Sequence, residues 1–209
     1  MGKDTKAAQR AALKKKKREK ELREAQARRR AAEAEHNPRR ALHQAADLPI
    51  VECVVSRGWA DRGLAHVLLA RRNPSGKLVV GGYYVDVFCL GLKDSAVMPN
   101  VDDEEYREKV KPNIFNDPVE FEDCDPGVAR AVVEGAIDFA SRFGFRPNKR
   151  WEESRHLFQG IEAKPDGIVF GKDGKPCLVR RGGDKAPGAV ARLERKAGPG
   201  NFLVEDAEA

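Results

Sequence analysis

The spacing of apolar residues separates a polar helical segment from a region of alternating strand and helix patterns. From about Thr5 to about Glu35 the chain has no Gly or Pro, and the helix-favouring residues Ala, Lys, Arg, Glu and Gln dominate. Leu13 and Leu22 are the only large apolar residues of this segment, so it has no apolar stripe that could dock on a core. The pattern predicts a long helix that projects into solvent or lies on a charged partner.

After the polar helical segment, the sequence shows patterns typical of β-strands. The stretch from Ile50 to Ser56 is rich in β-branched residues and predicts a strand. Two further apolar runs, Leu64 to Arg71 and Leu78 to Leu90, flank the turn-forming residues Asn73-Pro74-Ser75-Gly76 and predict a β-hairpin. The pair Gly81-Gly82 in the second run indicates a bulge or a close backbone approach.

Helical spacing dominates the second half of the chain. Asp102 to Lys111 predicts a short charged helix, and Asp125-Pro126 is typical of an N-cap followed by a proline in the first turn. The core helix after it is predicted from apolar residues at helical spacing, with Gly144 at its end: Val128, Val132, Val133, Ala136, Ile137, Ala140 and Phe143. Further helices are predicted at Lys149 to Phe158 and Ala189 to Lys196.

A second hairpin is predicted from Ile168 to Phe170 and Cys177 to Arg180, which flank Gly171-Lys172-Asp173-Gly174-Lys175-Pro176. Together these elements predict an α+β fold, with a mainly antiparallel sheet and packed helices, preceded by a long basic N-terminal helix. The predicted domains are a basic, partly disordered helical arm over residues 1–48 and a globular domain over residues 49–209. A chain of 209 residues is long enough for one well-buried core.

Charge is distributed unevenly between these two parts. The first 40 residues hold 15 Lys and Arg against 6 Asp and Glu, whereas the remainder holds 24 basic and 27 acidic residues. The net charge of +6 therefore arises from a strongly basic arm and a mildly acidic domain.

Other features bear on location and partners. The sequence contains no run of about 18 apolar residues, and its N-terminus lacks the apolar centre of a secretory signal. The four cysteines are far apart and form no C-x-x-C pair, so we expect reduced and mostly buried thiols. These observations predict a cytoplasmic protein without a membrane span.

One strand and one C-terminal block carry a family resemblance. The run from Trp59 to Ser95, above all Tyr83-Tyr84-Val85-Asp86-Val87-Phe88-Cys89-Leu90-Gly91-Leu92-Lys93-Asp94, resembles a strand in a group of uncharacterised bacterial proteins. The block Gly171 to Pro176, with Gly198 to Phe202, is similar to the same group. The resemblance covers about two thirds of the chain, excludes the arm, and implies a shared fold and bacterial origin. It implies no catalytic residue.

The arm contains the strongest functional signal. Its candidate nucleic-acid-binding residues are Lys14, Lys15, Lys16, Lys17, Arg18, Lys20, Arg23, Arg28, Arg29 and Arg30. A helix with basic side chains on every face can neutralise phosphates whatever its rotation, without reading bases. The partner predicted for the arm is RNA, a ribosome or DNA. A solvated appendage and an anionic membrane surface are the alternatives.

Carboxylates offer weaker catalytic candidates. Pro165-Asp166 followed by Asp173-Gly174-Lys175 has the order of a PD-(D/E)xK nuclease, in which two carboxylates bind Mg²⁺ and a lysine orients water. The spacing differs, because Asp173-Gly174 has the composition of a hairpin turn. No cofactor or metal ligand is predicted; Mg²⁺ enters only under this hydrolase alternative.

Asp86 is a second candidate, in a possible carboxylate cluster with Glu52 and Asp94. Because Asp86 lies between Val85 and Val87, it faces away from both, and the pattern predicts that it faces solvent unless both sheet faces are covered. A structural or surface aspartate is the alternative to a metal ligand.

Several other residues have ordinary structural interpretations. His66 and His156 have no partner at motif spacing, so simple hydrogen bonding is expected of them. The Arg180 to Lys185 segment could form an anion nest, although a plain loop is the simpler interpretation. Trp59 and Trp151 are expected in the core rather than as base-stacking surfaces.

These observations predict a nucleic-acid-associated bacterial protein that binds through its arm and whose domain has an unknown activity. The alternatives are a metal-dependent phosphodiester hydrolase and a module that binds a protein partner.

Overall fold

The computed structural model describes residues 45–115, 119–181 and 188–207, together with Arg18, Lys20 and Arg23. The chain divides into two units, Met1–Ala41 and Leu42–Ala209. In the first unit the three described residues are helical and their side chains are exposed. The rest of the predicted arm helix lies outside the described residues.

The second unit is an α+β domain, as predicted. Its strands are β1 (Ile50–Ser56), β2 (Leu64–Arg72), β3 (Leu78–Asp86), β4 (Gly91–Val101), β5 (Phe121–Asp123), β6 (Cys177–Arg180) and β7 (Leu203–Asp206). Its α-helices are α1 (Trp59–Arg62), α2 (Asp103–Glu105), α3 (Lys111–Asn113), α4 (Pro126–Ser141), α5 (Trp151–Ser154) and α6 (Ala189–Lys196). A π-helical turn, Tyr106–Val110, joins α2 to α3, and 3₁₀ turns occupy Ala45–Asp47 and Arg155–Phe158.

The main sheet has five antiparallel strands in the order β4-β3-β2-β1-β5. The first predicted hairpin is confirmed, since β2 and β3 pair without interruption from Leu64↔Asp86 to Arg72↔Leu78. Its turn is held by Asn73, whose side-chain oxygen accepts hydrogen bonds from the backbone N–H groups of Ser75 and Lys77. The local turn chemistry and the apolar runs therefore agree with the observed pairing.

Both faces of the sheet are covered in its central part. On one face, Leu68 and Val80 form a buried cluster with Tyr106. On the other face, the hydroxyl of Tyr83 donates to the carbonyl of Ser154, and the Tyr83 ring contacts Phe158. Helix α4 packs against β1, β3 and β4. The sheet is therefore the middle layer of the domain, which determines which strand residues become buried.

The glycine pair in β3 reflects close packing, and the alternative of a bulge against β2 is wrong. Gly81 and Gly82 pair in regular register with Leu69 and Leu68. A Cβ on Gly81 would lie 2.5 Å from Cδ1 of Leu157, and one on Gly82 would lie 2.5 Å from Cδ1 of Ile114. Glycine is required here because side chains from the two covering layers reach the strand backbone.

Helix α4 begins and ends as the sequence predicts. Oδ1 of Asp125 accepts a hydrogen bond of 2.7 Å from the backbone N–H of Gly127, and Pro126 occupies the first turn. Gly144 follows the helix with φ of 81°. The predicted helices at Asp102 to Lys111, Lys149 to Phe158 and Ala189 to Lys196 are also present, the first two as composites of short helical turns. No helix among the described residues is long and apolar enough to cross a membrane.

The second predicted hairpin is wrong. Strand β6 pairs in parallel with β7, with Cys177 opposite Leu203, while residues 168–170 are not a strand. Only a single antiparallel bridge, Lys172↔Lys175, closes the turn, where Asp173 and Gly174 have φ of 51° and 73°. The turn residues do form a turn, but α6 lies between β6 and β7 in the chain and brings the distant strand β7 beside β6.

Candidate functional site

A cleft of about 1060 Å³ lies where β2 begins and β3 ends. Helix α1, the first residues of β2 and the β6–β7 pair form its walls. Its lining residues are Asp61, Arg62, Leu64, His66, Tyr84, Phe88, Lys172, Val179, Arg181, Glu205, Asp206 and Ala207. The two sheets of the domain therefore contribute to one cavity.

Aromatic rings form the floor of the cleft. His66 and Tyr84 are direct cross-strand partners, so they lie on the same sheet face, and their rings stack with centroids 4.8 Å apart. The ring of Phe115 also lies 4.8 Å from that of His66. Nζ of Lys93 lies 5.1 Å from the centroid of Tyr84, which is within the range of a cation–π contact. His66 is thus buried among rings, and the hydrogen bonding expected of it from the sequence stays a prediction.

Asp86 lies on the same face, opposite Leu64 in the register, and only 1% of its surface is exposed. Its Oδ1 accepts hydrogen bonds from the backbone N–H groups of Phe88 at 3.0 Å and Cys89 at 2.8 Å. The sequence predicted that Asp86 would face solvent unless both sheet faces were covered; both faces are covered, and Asp86 is buried. These two bonds turn the chain out of β3, four residues before the predicted end of that strand at Leu90.

The electrostatics of Asp86 follow from its burial. Desolvation raises the pKa of the Asp86 carboxyl, while the hydrogen bond from Cys89 and the positive charges of Lys93 and Arg181 lower the pKa by smaller amounts. Its second oxygen, Oδ2, accepts no hydrogen bond from any described residue. One buried carboxylate oxygen therefore lacks a hydrogen-bond donor within the described part of the domain.

Arg181 contributes the complementary group. Its Nη2 donates to the carbonyl of Arg62 at 2.8 Å, but its buried Nη1 donates to no described residue. Two ion pairs lie near the cleft: Nζ of Lys172 lies 2.7 Å from Oε1 of Glu205, and Arg180 pairs with Asp206. A buried donor and a buried acceptor thus remain available at this end of the sheet.

The nuclease-like residues lie elsewhere. Asp166 and Asp173 are exposed, and both line a second cavity of about 470 Å³ beside Trp59. Lys175 does not line this cavity, and its Nζ donates a hydrogen bond to the carbonyl of Gly200 at 2.9 Å. The structure therefore brings Asp166 and Asp173 to one cavity but gives the lysine a structural partner.

The predicted carboxylate cluster around Asp86 does not assemble with Glu52. Register places Glu52 level with Val80, six residues from Asp86 along β3, or about 20 Å away. Glu52 instead accepts hydrogen bonds from the Tyr106 hydroxyl and from Lys111 Nζ. Asp94 lies 3.7 Å from Nη1 of Arg150. Across the described ranges, no three His, Cys, Asp or Glu side chains group together as a metal site would require.

The sequence also singled out His156, the two tryptophans and the Arg180 to Lys185 segment. His156 Nδ1 lies 2.9 Å from Nε2 of Gln159, and Trp151 is 8% exposed, as expected for a core residue. Trp59 is half-buried beside the second cavity, so its core prediction is only partly met. Of the Arg180 to Lys185 segment, residues 182–185 lie outside the described residues, so the anion-nest hypothesis stays a prediction.

The nucleic-acid-binding candidates are mostly beyond what the structure describes. Arg18, Lys20 and Arg23 are helical and exposed. Lys14, Lys15, Lys16, Lys17, Arg28, Arg29 and Arg30 lie outside the described residues. Their roles stay predictions.

Sequence reasoning missed the grouping of His66, Tyr84 and Arg181 at one cleft, with the buried Asp86 near Arg181. A partial signal was available, since the hairpin turn sets the register that places His66 opposite Tyr84 and Leu64 opposite Asp86. Nothing local indicated that Arg181 would join them.

Comparisons with protein-family models, with curated proteins and with solved structures found no match to this chain. The resemblance to the bacterial group therefore stays a prediction.

Proposed function

We propose that this protein associates with nucleic acid, either RNA (including ribosomal RNA) or DNA, through its basic N-terminal arm. The observation that carries the proposal is the charge asymmetry, with 15 basic and 6 acidic residues in the first 40 positions of the chain. The proposed location is the cytoplasm of a bacterium, where such a partner is abundant.

The physical basis is neutralisation of phosphates. Lys14, Lys15, Lys16, Lys17 and Arg18 are consecutive, so on a helix they point in directions about 100° apart and surround the axis. Binding by such a helix releases counterions from the nucleic acid and needs no particular rotation about the axis. Affinity should therefore depend steeply on salt and only weakly on sequence.

The domain is a second binding candidate because of one specific observation. Buried Oδ2 of Asp86 and buried Nη1 of Arg181 have no hydrogen-bond partner among the described residues, and Arg181 lines the cleft. A ligand in the cleft would satisfy the guanidinium of Arg181 by presenting a hydrogen-bond acceptor. The hydrolase alternative has less support, since Asp86 is buried while Asp166 and Asp173 are exposed at a different cavity.

A matched pair of full-length variants tests the arm. In the first variant Lys14, Lys15, Lys16, Lys17 and Arg18 become Gln. In the control five exposed basic residues of the domain become Gln: Arg107, Lys109, Arg146, Lys149 and Arg195. Both variants lose the same charge, so a difference in binding reports where the charge is needed.

Binding is measured by fluorescence anisotropy with labelled single-stranded and double-stranded RNA and DNA over a range of salt concentrations. About six phosphate contacts give a slope of log K against log salt near −5 in the wild type. We expect a much shallower slope in the arm variant and a nearly unchanged slope in the control. Equal weakening in both variants would show that binding depends on total charge and would remove the arm from the proposal.

Deletion of residues 1–40 and incubation with metals complete the test. The truncated chain should stay folded by circular dichroism, because few apolar groups are lost, and should no longer bind at physiological salt. Incubation of the wild type with Mg²⁺, Mn²⁺ or EDTA should leave the nucleic acid intact. Metal-dependent fragments that disappear in Asp86→Asn or Asp166→Asn would favour the hydrolase alternative instead.

A further inference from the structure

Two cysteines face each other across the pairing of β1 with β5. Val54 lies opposite Asp123 in the antiparallel register, so Cys53 and Cys124 are the next opposed pair, and the backbone N–H of Cys124 donates to the carbonyl of Cys53 at 2.9 Å. Opposed residues of antiparallel strands have Cα atoms about 4.5–5.5 Å apart, which lies within the range of about 4.4–6.8 Å found for disulfides. A bond between them would need little movement of the backbone.

The two thiols have different environments. Cys53 is buried, whereas Cys124 is half-buried on the edge strand side of the sheet. A hydrogen bond from the Cys53 thiol lowers the pKa of Cys124, and the same contact, with burial, raises the pKa of Cys53. Because the thiolate is the reactive form, Cys124 is the sulfur that an oxidant would meet first.

We propose that Cys53 and Cys124 form a redox-sensitive site, in which hydrogen peroxide oxidises Cys124 and Cys53 resolves the product into an intramolecular disulfide. In the first step the Cys124 thiolate attacks one peroxide oxygen, the O–O bond breaks, and Cys124 becomes a sulfenic acid as hydroxide leaves. In the second step the Cys53 sulfur attacks the Cys124 sulfur and displaces the sulfenic oxygen, which leaves as water with the thiol proton. Two thiols and one peroxide thus give one disulfide and two waters.

The other two cysteines serve as internal references. Cys89 and Cys177 are both 0% exposed. Burial raises the pKa of Cys89 and raises that of Cys177 to about 11. Both therefore present protonated and inaccessible sulfurs, and we expect them to react much more slowly than Cys124.

The location of the pair gives the disulfide a structural consequence. Cys124 directly precedes Asp125, the N-cap of α4, and Cys53 lies in β1. The bond would connect the start of the core helix to the sheet and close a loop that contains β2, β3 and β4. Closing so long a loop restricts the unfolded chain, so oxidation should raise the midpoint of thermal unfolding, by on the order of 10 °C.

The test uses the full-length protein, fully reduced and then treated with a small excess of hydrogen peroxide. We expect the number of free thiols to fall from four to two, the intact mass to fall by two hydrogen atoms, and peptide mapping to find Cys53 linked to Cys124. The reducing agent dithiothreitol should restore four thiols. A link that involves Cys89 or Cys177, a link between two chains, or oxidation of Cys124 to sulfinic acid while Cys53 stays free would overturn the proposal.

Variants and labelling kinetics separate the roles of the two sulfurs. Cys53→Ser should stop at a sulfenic acid on Cys124 that dimedone traps, whereas the control Cys177→Ser should still form the disulfide. If either variant does not fold, the wild type alone decides the question through its reaction with iodoacetamide at neutral pH. Cys124 should be alkylated first, and equal or faster labelling of Cys89 or Cys177 would refute the assignment.

Discussion

Asp86 provides a direct test of how the end of β3 is stabilised. Its Oδ1 accepts two backbone hydrogen bonds, from residues Phe88 and Cys89 that are themselves 9% and 0% exposed. Asp86→Ala would leave both N–H groups buried without an acceptor. An unsatisfied buried donor costs about 1–3 kcal/mol, so the free energy of unfolding should fall by about 2–6 kcal/mol.

Asp86→Asn should behave differently, because an amide oxygen can accept the same two bonds. The substitution also removes a buried charge whose Oδ2 has no hydrogen-bond partner among the described residues. We therefore expect the Asn variant at neutral pH to be at least as stable as the wild type, to within about 1 kcal/mol.

The pH dependence distinguishes the buried charge from simple packing. Burial raises the pKa of Asp86 in the folded protein above its ordinary value of 3.8, which applies to the unfolded chain. At a pH between the unfolded and the folded pKa, the folded protein therefore holds a proton that the unfolded chain has lost. This site therefore lowers wild-type stability as pH rises through that window and contributes a constant penalty above it. The Asn variant lacks the titration, so its advantage over the wild type should grow through the window and then level off.

Urea denaturation at a series of pH values, followed by circular dichroism, measures these differences. Asp138→Asn, at an exposed position of α4, is the control and should change stability by no more than about 0.5 kcal/mol. The reasoning would be refuted if Asp86→Asn were as destabilising as Asp86→Ala. It would also be refuted if the difference between Asp86→Asn and the wild type did not change with pH.

The other two predictions concern the packing of the domain. Val132→Asp should lower the free energy of unfolding by several kcal/mol, because Val132 is 1% exposed on α4 and a carboxylate there would have no partner. An unchanged midpoint of thermal unfolding would contradict the orientation of the helix. Arg71→Lys should lower the free energy of unfolding by about 2 kcal/mol or more. The buried guanidinium donates to three backbone carbonyls, those of Leu157 at 2.9 Å, Gln159 at 2.8 Å and Leu48 at 2.6 Å. The ammonium group of lysine cannot reproduce the planar arrangement of these donors. The control is Arg72→Lys at a half-buried position, which loses a paired contact with Asp103. It should change stability by about 1 kcal/mol or less in chemical denaturation.

Local signals in the sequence were sufficient for the first hairpin and for α4. The turn at Asn73 to Gly76 forces the flanking runs to pair, and Asp125 with Pro126 starts a helix whose apolar spacing selects the buried face. These elements depend on interactions between residues that are close in the chain. A pattern of apolar and capping residues therefore predicts them before any distant contact is known.

Only the tertiary structure decided which distant segments meet. Cys177–Arg180 pairs with Leu203–Asp206 rather than with its near neighbours, because α6 returns the chain parallel to the first strand. The burial of Asp86 required layers on both faces of the sheet, and the approach of Cys53 to Cys124 required the edge pairing of β1 with β5. Register between strands far apart in sequence is set by the packing of the whole core, and no short window of residues contains that information. The excess of basic residues in the arm, by contrast, is determined by the sequence alone and needs no packing to exist.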